Sequence, residues 1–244
     1  MIKLVSECYD LLKGCGFPFA FCGGYALELF LNKKIRPHAD IDISIFDEDK
    51  INIVEYMLNE GWNVYEHKAD WINNKKANSY LRPILNPNDD RIPQLYCAWA
   101  IKPDCSFFKI EPKPIKENIY DYEILNEEQL NMDFIEIVFN MQIDGKFVCD
   151  KDKNITRELD KAILYNNSIP YLAPELMLFI ISNPVYMESE YHKEKNRIDF
   201  YSTAPFLPNE NKNWLINALE TTYPDGNPRI EELKNTRPLP LPQK

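Results

Sequence analysis

The sequence predicts an α+β fold: a mixed sheet with flanking helices through about residue 165, a helical region over 166–222 and a proline-rich tail over 223–244. Three observations lead there. Short apolar runs alternate with helical spacings through Tyr65, Met132 to Asn140 reads as a well-defined strand, and after Pro170 the apolar residues follow helical spacing. With 244 residues, 45% apolar and 27% charged, the chain has ordinary globular composition and enough length to bury a sizeable core.

Each element has its own signal. Leu4, Val5, Cys8, Leu11 and Leu12 give a helix over 3–13, stopped by Gly14 and Gly16. Phe17 to Cys22 reads as a short buried strand, which Gly23-Gly24 turns into a helix from Tyr25 to about Leu31. Ala39 to Phe46 is the next strand, with Ile41, Ile43 and Ile45 on one face and Asp40, Asp42 and Ser44 on the other. Asp47 and Asp49 precede a helical spacing from Ile51 to Leu58, Gly61 ends it, and Trp62 to Tyr65 opens a strand. Residues 69–116 carry six prolines and predict irregular connections, with edge strands at Leu95–Ala100 and Ser106–Ile110. Met132 to Asn140 ends before a turn at Asp144-Gly145, from which Phe147 to Cys149 returns as a hairpin partner. Pro174-Glu175 opens a helix, Lys193 to Tyr201 forms a second, and Asn211 to Glu220 a third. The tail has five prolines and reads as an extended or fraying arm.

Charge and cysteine usage narrow the function. A formal net charge of −10 disfavours extended, sequence-independent binding of nucleic acid, while leaving room for a local basic pocket. Six cysteines without a CxxC pair, and three scattered histidines, do not spell a zinc site; they read as free thiols in a reducing compartment. No apolar run reaches membrane length and no cationic leader opens the sequence, so the expectation is a cytoplasmic protein.

The chemistry centres on Asp40 and Asp42. Two carboxylates side by side on one strand face repel unless a cation or proton intervenes. Two divalent ions about 3.5–4 Å apart suit such a pair, and magnesium accepts a partial oxygen cage completed by substrate phosphates. The same alternation also suits the wet face of an edge strand. Gly23-Gly24, between strand and helix, lets backbone approach a phosphate and leaves helix-start amides free, although a tight turn alone would use such a pair too. Glu136, flanked on its own face by Phe134 and Val138, is the first choice for a third carboxylate and for a base toward a hydroxyl, with Asp133 in reserve. A salt bridge or an exposed sheet face would also account for Glu136.

The run Cys22-Gly23-Gly24-Tyr25-Ala26-Leu27 through Arg36-Pro37-His38-Ala39-Asp40-Ile41-Asp42-Ile43 resembles the nucleotidyltransferase superfamily, in its branch of aminoglycoside 2''-adenylyltransferase-like and lincosamide nucleotidyltransferase-like proteins. Pro170-Tyr171-Leu172-Ala173-Pro174-Glu175 and Asp199-Phe200 continue the resemblance. It implies a nucleotidyltransferase-like sheet with a helical C-terminal part, and transfer of a nucleoside monophosphate from ATP or another triphosphate to a small hydroxylated acceptor, with an aminoglycoside-like antibiotic as one candidate. By the same resemblance Asp40, Asp42 and Glu136 would hold two magnesium ions, Gly23 and Gly24 the phosphates, and Arg36 and Lys195 would contact the nucleotide. His38 shapes the loop before Asp40, and Arg157 anchors the sheet or meets phosphate. Three positions depart from the family pattern: Glu136 replaces aspartate, Asn196 replaces an aspartate and Ile181 a lysine. Glu136 keeps a carboxylate, whereas the losses of charge at Asn196 and Ile181 favour the alternatives: a toxin–antitoxin nucleotidyltransferase, or a catalytically silent nucleotide- or protein-binding module. A monomer and a homodimer are both compatible with the sequence.

Overall fold

The computed structural model describes residues 3–72, 75–113, 118–150, 152–190 and 192–241. In chain order, α1 (Lys3–Leu12), β1 (Phe19–Phe21), α2 (Gly23–Leu31), β2 (Asp42–Phe46) and α3 (Lys50–Asn59) come first. Strands β3 (Asn63–Ile72), β4 (Lys75–Ile84), β5 (Cys97–Ile101), β6 (Phe108–Pro112), β7 (Tyr120–Ile124) and β8 (Phe134–Ile143) follow. Then come β9 (Lys146–Val148), β10 (Thr156–Glu158), α4 (Leu159–Ala162), β11 (Ile163–Asn166) and β12 (Ile169–Leu172). Helices α5 (Pro174–Ile181), α6 (Pro184–Glu188), α7 (Lys193–Thr203), α8 (Asn209–Thr222) and α9 (Pro228–Asn235) complete the chain. The fold is α+β, with mixed strand pairing, flanking helices and a helical C-terminal region. Its contacts divide into two compact units, residues 1–19 with 37–140 and residues 20–36 with 141–244.

The first unit is built on the strand order β2-β8-β5-β3-β4-β7-β6. Strands β2 and β8 run parallel with Asp42 opposite Glu136; the remaining pairs are antiparallel. One face is apolar and helix-covered: Ile43, Ile45, Ile135, Ile137 and Phe139 are buried, and α3 packs against β2 and β3 through a flank that buries Ile53, Val54 and Met57. The Tyr56 hydroxyl donates to the Leu11 carbonyl at 2.6 Å and ties α3 to α1.

The opposite face is aromatic toward β6. Trp99 on β5 stacks on Phe108 of β6 at 5.4 Å between ring centroids, although β3, β4 and β7 lie between those strands in the sheet. Only a strongly curled sheet brings them together, and the accumulated twist of antiparallel strands supplies such a curl. Tyr65, Leu81, Trp99, Ile101, Phe107, Phe108 and Phe134 form the core inside that curl.

In this unit the structure corrects the expectation for residues 69–116. Instead of irregular connections, β3 and β4 form a ten-residue antiparallel ribbon, and β5 is a central strand between β3 and β8 rather than an edge. Pro83 is accommodated because it pairs with Tyr65 on one side only: the β4–β7 pairing on the other side is at Leu81. The turn at 73–74 lies outside the described residues.

In the second unit β12 pairs in parallel with β1, Phe21 opposite Tyr171, and antiparallel with β11. The end of β8 turns at Asp144-Gly145, both with positive φ, and pairs with β9, as expected of a two-residue hairpin. Helix α2 packs on α5, α7 and β12, and α5 packs on α8. The tail is corrected as well: α9 occupies its middle, buries Ile230 and Leu233, and packs on α8. Asn227 caps it by accepting from the Arg229 amide at 2.9 Å while its own amide group donates to the Ser182 carbonyl at 2.8 Å.

Candidate functional site

Three carboxylates meet at one end of the first unit's sheet. Asp40 lies just before β2, Asp42 begins it, and Glu136 faces Asp42 across the parallel pair. Although β2 starts at Asp42, three residues after the expected Ala39, the Glu136 amide already donates to the Ile41 carbonyl at 2.8 Å, so the approach segment is held against β8. Each residue offers one ligand oxygen, and these oxygens all lie within 4.8 Å of one another. All three side chains are half-buried, which leaves the cluster reachable from solvent. Hard oxygen donors at this spacing suit a divalent cation such as magnesium or manganese.

Neighbouring groups fix the cluster. His38 is buried, and its carbonyl accepts from the Gln129 amide at 2.8 Å. The Gln129 side chain donates to the carbonyls of Asn131 and Phe134 at 2.8 and 3.0 Å. The loop carrying Asp40 is therefore fastened to the segment that leads into β8 and Glu136. Further along the same face Asn140 donates to the Ser44 hydroxyl at 2.9 Å, both residues being buried. The reserve residue, Asp133, is engaged elsewhere, accepting from the Ser106 hydroxyl at 2.9 Å and amide at 3.2 Å.

Cys97 and Gln129 are additions that the sequence did not single out. Cys97 stands opposite Val138, diagonal to Glu136 on the same face, which sets its thiol beside the Glu136 side chain. Burial first, then the negative charge of Glu136 and Asp42, pushes this thiol well above its ordinary pKa. It stays protonated and serves as a donor toward the third carboxylate. Cys97 depends on long-range pairing between strands and Gln129 on a loop-to-loop bond to His38, and no local spacing announces either.

The remaining predicted residues lie in the second unit. Gly23 is the first residue of α2 with φ of +58°, a conformation that favours glycine, and its N–H donates to the Met177 sulfur at 3.2 Å. A thioether is a weak acceptor, so this helix-start amide is only lightly engaged. Gly24 is buried in the same first turn. Arg36 forms a two-point pair with Asp199, Nε and Nη2 each donating at 2.8 Å. The buried Glu28 carboxylate accepts from the Ile35 amide at 2.6 Å and from the Arg36 amide at 3.3 Å, pinning the loop that carries Arg36. Lys195 is half-buried on α7 beside buried Asn196. Arg157 pairs with Glu175 at 2.6 Å in a buried setting and lies over the Trp214 ring, so within its unit it anchors β10 to α5 and α8.

The family described as aminoglycoside-2''-adenylyltransferase matches residues 4–82, about a third of the chain. That stretch contains Gly23, Gly24, Asp40 and Asp42 and stops short of Glu136. No curated protein matches. Among solved structures, lincomycin-bound lincosamide antibiotic adenylyltransferase LnuA is similar at 13% identity and TM-score 0.46, over 83% of this chain and 96% of that one. The solution structure of antibiotic-resistance factor ANT(2'')-Ia is similar at 12% identity and TM-score 0.47, over 91% of this chain and 92% of that one. The structure of ANT(2")-Ia with adenylyl-2"-tobramycin gives 10% identity and TM-score 0.44, over 88% and 94%. Similarity at this level leaves the chemistry to be argued from the chain's own residues. Among the described residues no helix is long and apolar enough to cross a membrane.

Proposed function

We propose that this chain is a metal-dependent nucleotidyltransferase that moves a nucleoside monophosphate from ATP or another nucleoside triphosphate to a hydroxyl of a small acceptor. The observation that carries the reading is the convergence of Asp40, Asp42 and Glu136 to within 4.8 Å on paired strands. The family match over residues 4–82 supports it independently, because that match covers the glycine pair and the first two aspartates.

In this reading Asp40, Asp42 and Glu136 hold up to two magnesium ions. The bound metal neutralises charge on the attacking and leaving oxygens. Glu136 takes the proton from the acceptor hydroxyl as that oxygen forms its bond to the α-phosphorus. The bond from the α-phosphorus to the bridging oxygen breaks, and pyrophosphate leaves with the electron pair. Cys97 orients the Glu136 carboxylate by donating to it, and Gln129 holds the Asp40 loop. Gly23, Gly24, Arg36 and Lys195 are proposed as nucleotide-side residues, with Arg36 acting through the loop that Asp199 fixes. A lincosamide or aminoglycoside antibiotic is one acceptor to test; the activity would then be a resistance activity.

A second reading, a binding module without turnover, is favoured by Asn196, which is buried where the resemblance expects an aspartate. Labelled triphosphate, magnesium and an acceptor panel separate the two. Pyrophosphate release that disappears in Asp42→Asn supports transfer. Calorimetric binding of the triphosphate with no turnover against any acceptor supports the silent module, and failure of both refutes the nucleotide reading.

A further inference from the structure

We propose that the face of β8, β5, β3 and β7 beside the carboxylates is the acceptor platform, and that it selects a neutral, hydroxylated small molecule with a flat apolar face rather than a polycation. This rests on the transfer reading for its place in a reaction, but the binding surface is argued from its own geometry.

Cross-strand register lays out the platform. Glu136 stands opposite Trp99, and Trp99 opposite Tyr65. His67 follows two residues after Tyr65 and therefore shares its face. The His67 ring stacks on Trp99 at 4.2 Å between centroids and 13° between planes. Its Nε2 lies 3.0 Å from the Tyr122 hydroxyl, and Tyr122 in turn meets Trp99 edge-on at 5.0 Å. Trp99 is buried, whereas Glu136, Cys97, Val138, His67 and Tyr122 are all half-buried. Buried Trp99 thus links, by register and ring stacking, the half-buried third carboxylate to a half-buried imidazole–phenol pair. Trp99 also leaves its indole N–H buried without a hydrogen-bond partner among the described residues. A buried donor of that kind is uncommon and is explained where a ligand oxygen completes it.

The charges point the other way. On β7, Tyr120, Tyr122 and Ile124 share the platform face, while Asp121 and Glu123 alternate to the opposite one. Phe108 and Ile110 face the platform from β6, and Lys109 and Glu111 pair with each other behind it at 3.0 Å. On β3 and β4, Glu66, Lys68 and Arg82 likewise lie together on the far face. Beyond the three carboxylates that would hold metal, no acidic side chain among the described residues of these strands shares the platform face. Aromatic rings and a polar imidazole–phenol pair instead suit stacking against a sugar or aryl face with hydrogen bonds to its hydroxyls.

Calorimetry on the full chain tests this with two probes: p-nitrophenyl β-cellobioside, neutral with an aryl face, and the glucosamine trimer, hydroxylated but tricationic. The aryl glycoside should bind more tightly than the trimer. His67→Ala should weaken it about three- to tenfold, the range of one lost aromatic stack, while His67→Phe restores it to within about twofold. Tyr122→Phe should weaken it about threefold through loss of one neutral hydrogen bond. Unchanged heat denaturation of the variants keeps these losses attributable to binding. Tighter binding of the trimer, no binding of the glycoside, or a His67→Ala variant equal to wild type would each overturn the proposal. Triphosphate binding with magnesium, measured separately on the wild-type chain, reports on the transfer reading alone, so the two can fail independently.

Discussion

Neutralising one of the three clustered carboxylates should make the metal-free protein more stable while removing its response to metal. In Asp42→Asn, an amide NH2 group replaces one carboxylate oxygen, which keeps the side chain's shape but drops its charge. The ligand oxygens of Asp40, Asp42 and Glu136 lie no more than 4.8 Å apart. At that spacing each pair of like charges repels by about 0.9 kcal/mol at the dielectric of water and about 3.5 kcal/mol at an effective value of 20. The substitution removes two such pairs, so about 2–7 kcal/mol of repulsion disappears from the folded state. Solvent screening at these half-buried side chains keeps the gain toward the lower part of that range. The expected stabilisation is therefore about 2–4 kcal/mol, or several degrees of melting temperature at about 2–4 °C per kcal/mol. The assay is heat denaturation in chelator and again in excess manganese. Wild type should melt lower in chelator and rise with manganese; Asp42→Asn should melt higher in chelator and respond little. A variant that melts lower than wild type in chelator and still rises with manganese would refute the idea of a cation-demanding cluster.

Four further outcomes follow from the same structure. Cys97→Val removes the donor to Glu136 and should weaken manganese binding about tenfold by calorimetry, with Cys97→Ser retaining most of the affinity. Breaking the buried Arg157–Glu175 pair with Arg157→Met strands a carboxylate and should cost about 3–5 kcal/mol in chemical denaturation; adding Glu175→Leu should recover most of it. Gly23→Ala forces a side chain onto a backbone with φ of +58° and should lower stability by about 1–2 kcal/mol in the same measurement. For acid stability, Glu66 is raised by burial but pulled further down by Lys68 and Arg82, and Asp89 is pulled down by Arg91. Their folded pKa values lie below the unfolded ones, so the stability they contribute is present above the unfolded carboxylate range and is lost as pH falls through the folded values. Glu66→Gln should flatten that acid limb in a pH series of melting curves.

How much could be read beforehand depended on whether a signal was local. Period-two alternation placed Asp40, Asp42 and Ser44 on one face, because Ile41, Ile43 and Ile45 must be buried together. Glycine and helical spacing placed α1, α2, α3, α5, α7 and α8 close to their observed ends. The β3–β4 ribbon escaped because Lys75, Lys76, Asn78 and Ser79 give no apolar alternation; its strands are defined by backbone pairing, and Pro83 reads locally as a breaker. Helix α9 had a readable start in Asn227-Pro228 with Glu231 in its first turn, but the prolines on both sides outweighed it.

The candidate site shows the same division more sharply. Glu136 could be chosen from sequence only as a carboxylate in an apolar strand; that it faces Asp42 is a property of parallel register, fixed by residues nearly a hundred positions apart. Cys97 is positioned by non-local strand pairing and Gln129 by its bond to the distant His38 carbonyl, and neither has a motif of its own. This has a physical consequence for how such a cluster is maintained. Two carboxylates on one strand repel wherever the strand goes, and the third joins them only when β8 docks beside β2. Burial of Ile43, Ile45, Ile137 and Phe139 on the opposite face supplies the favourable term that holds the strands together. In the proposed reading, apolar packing behind the cluster imposes its demand for a cation, so substitutions at Ile43 or Ile137 should weaken manganese binding in calorimetry without touching a ligand.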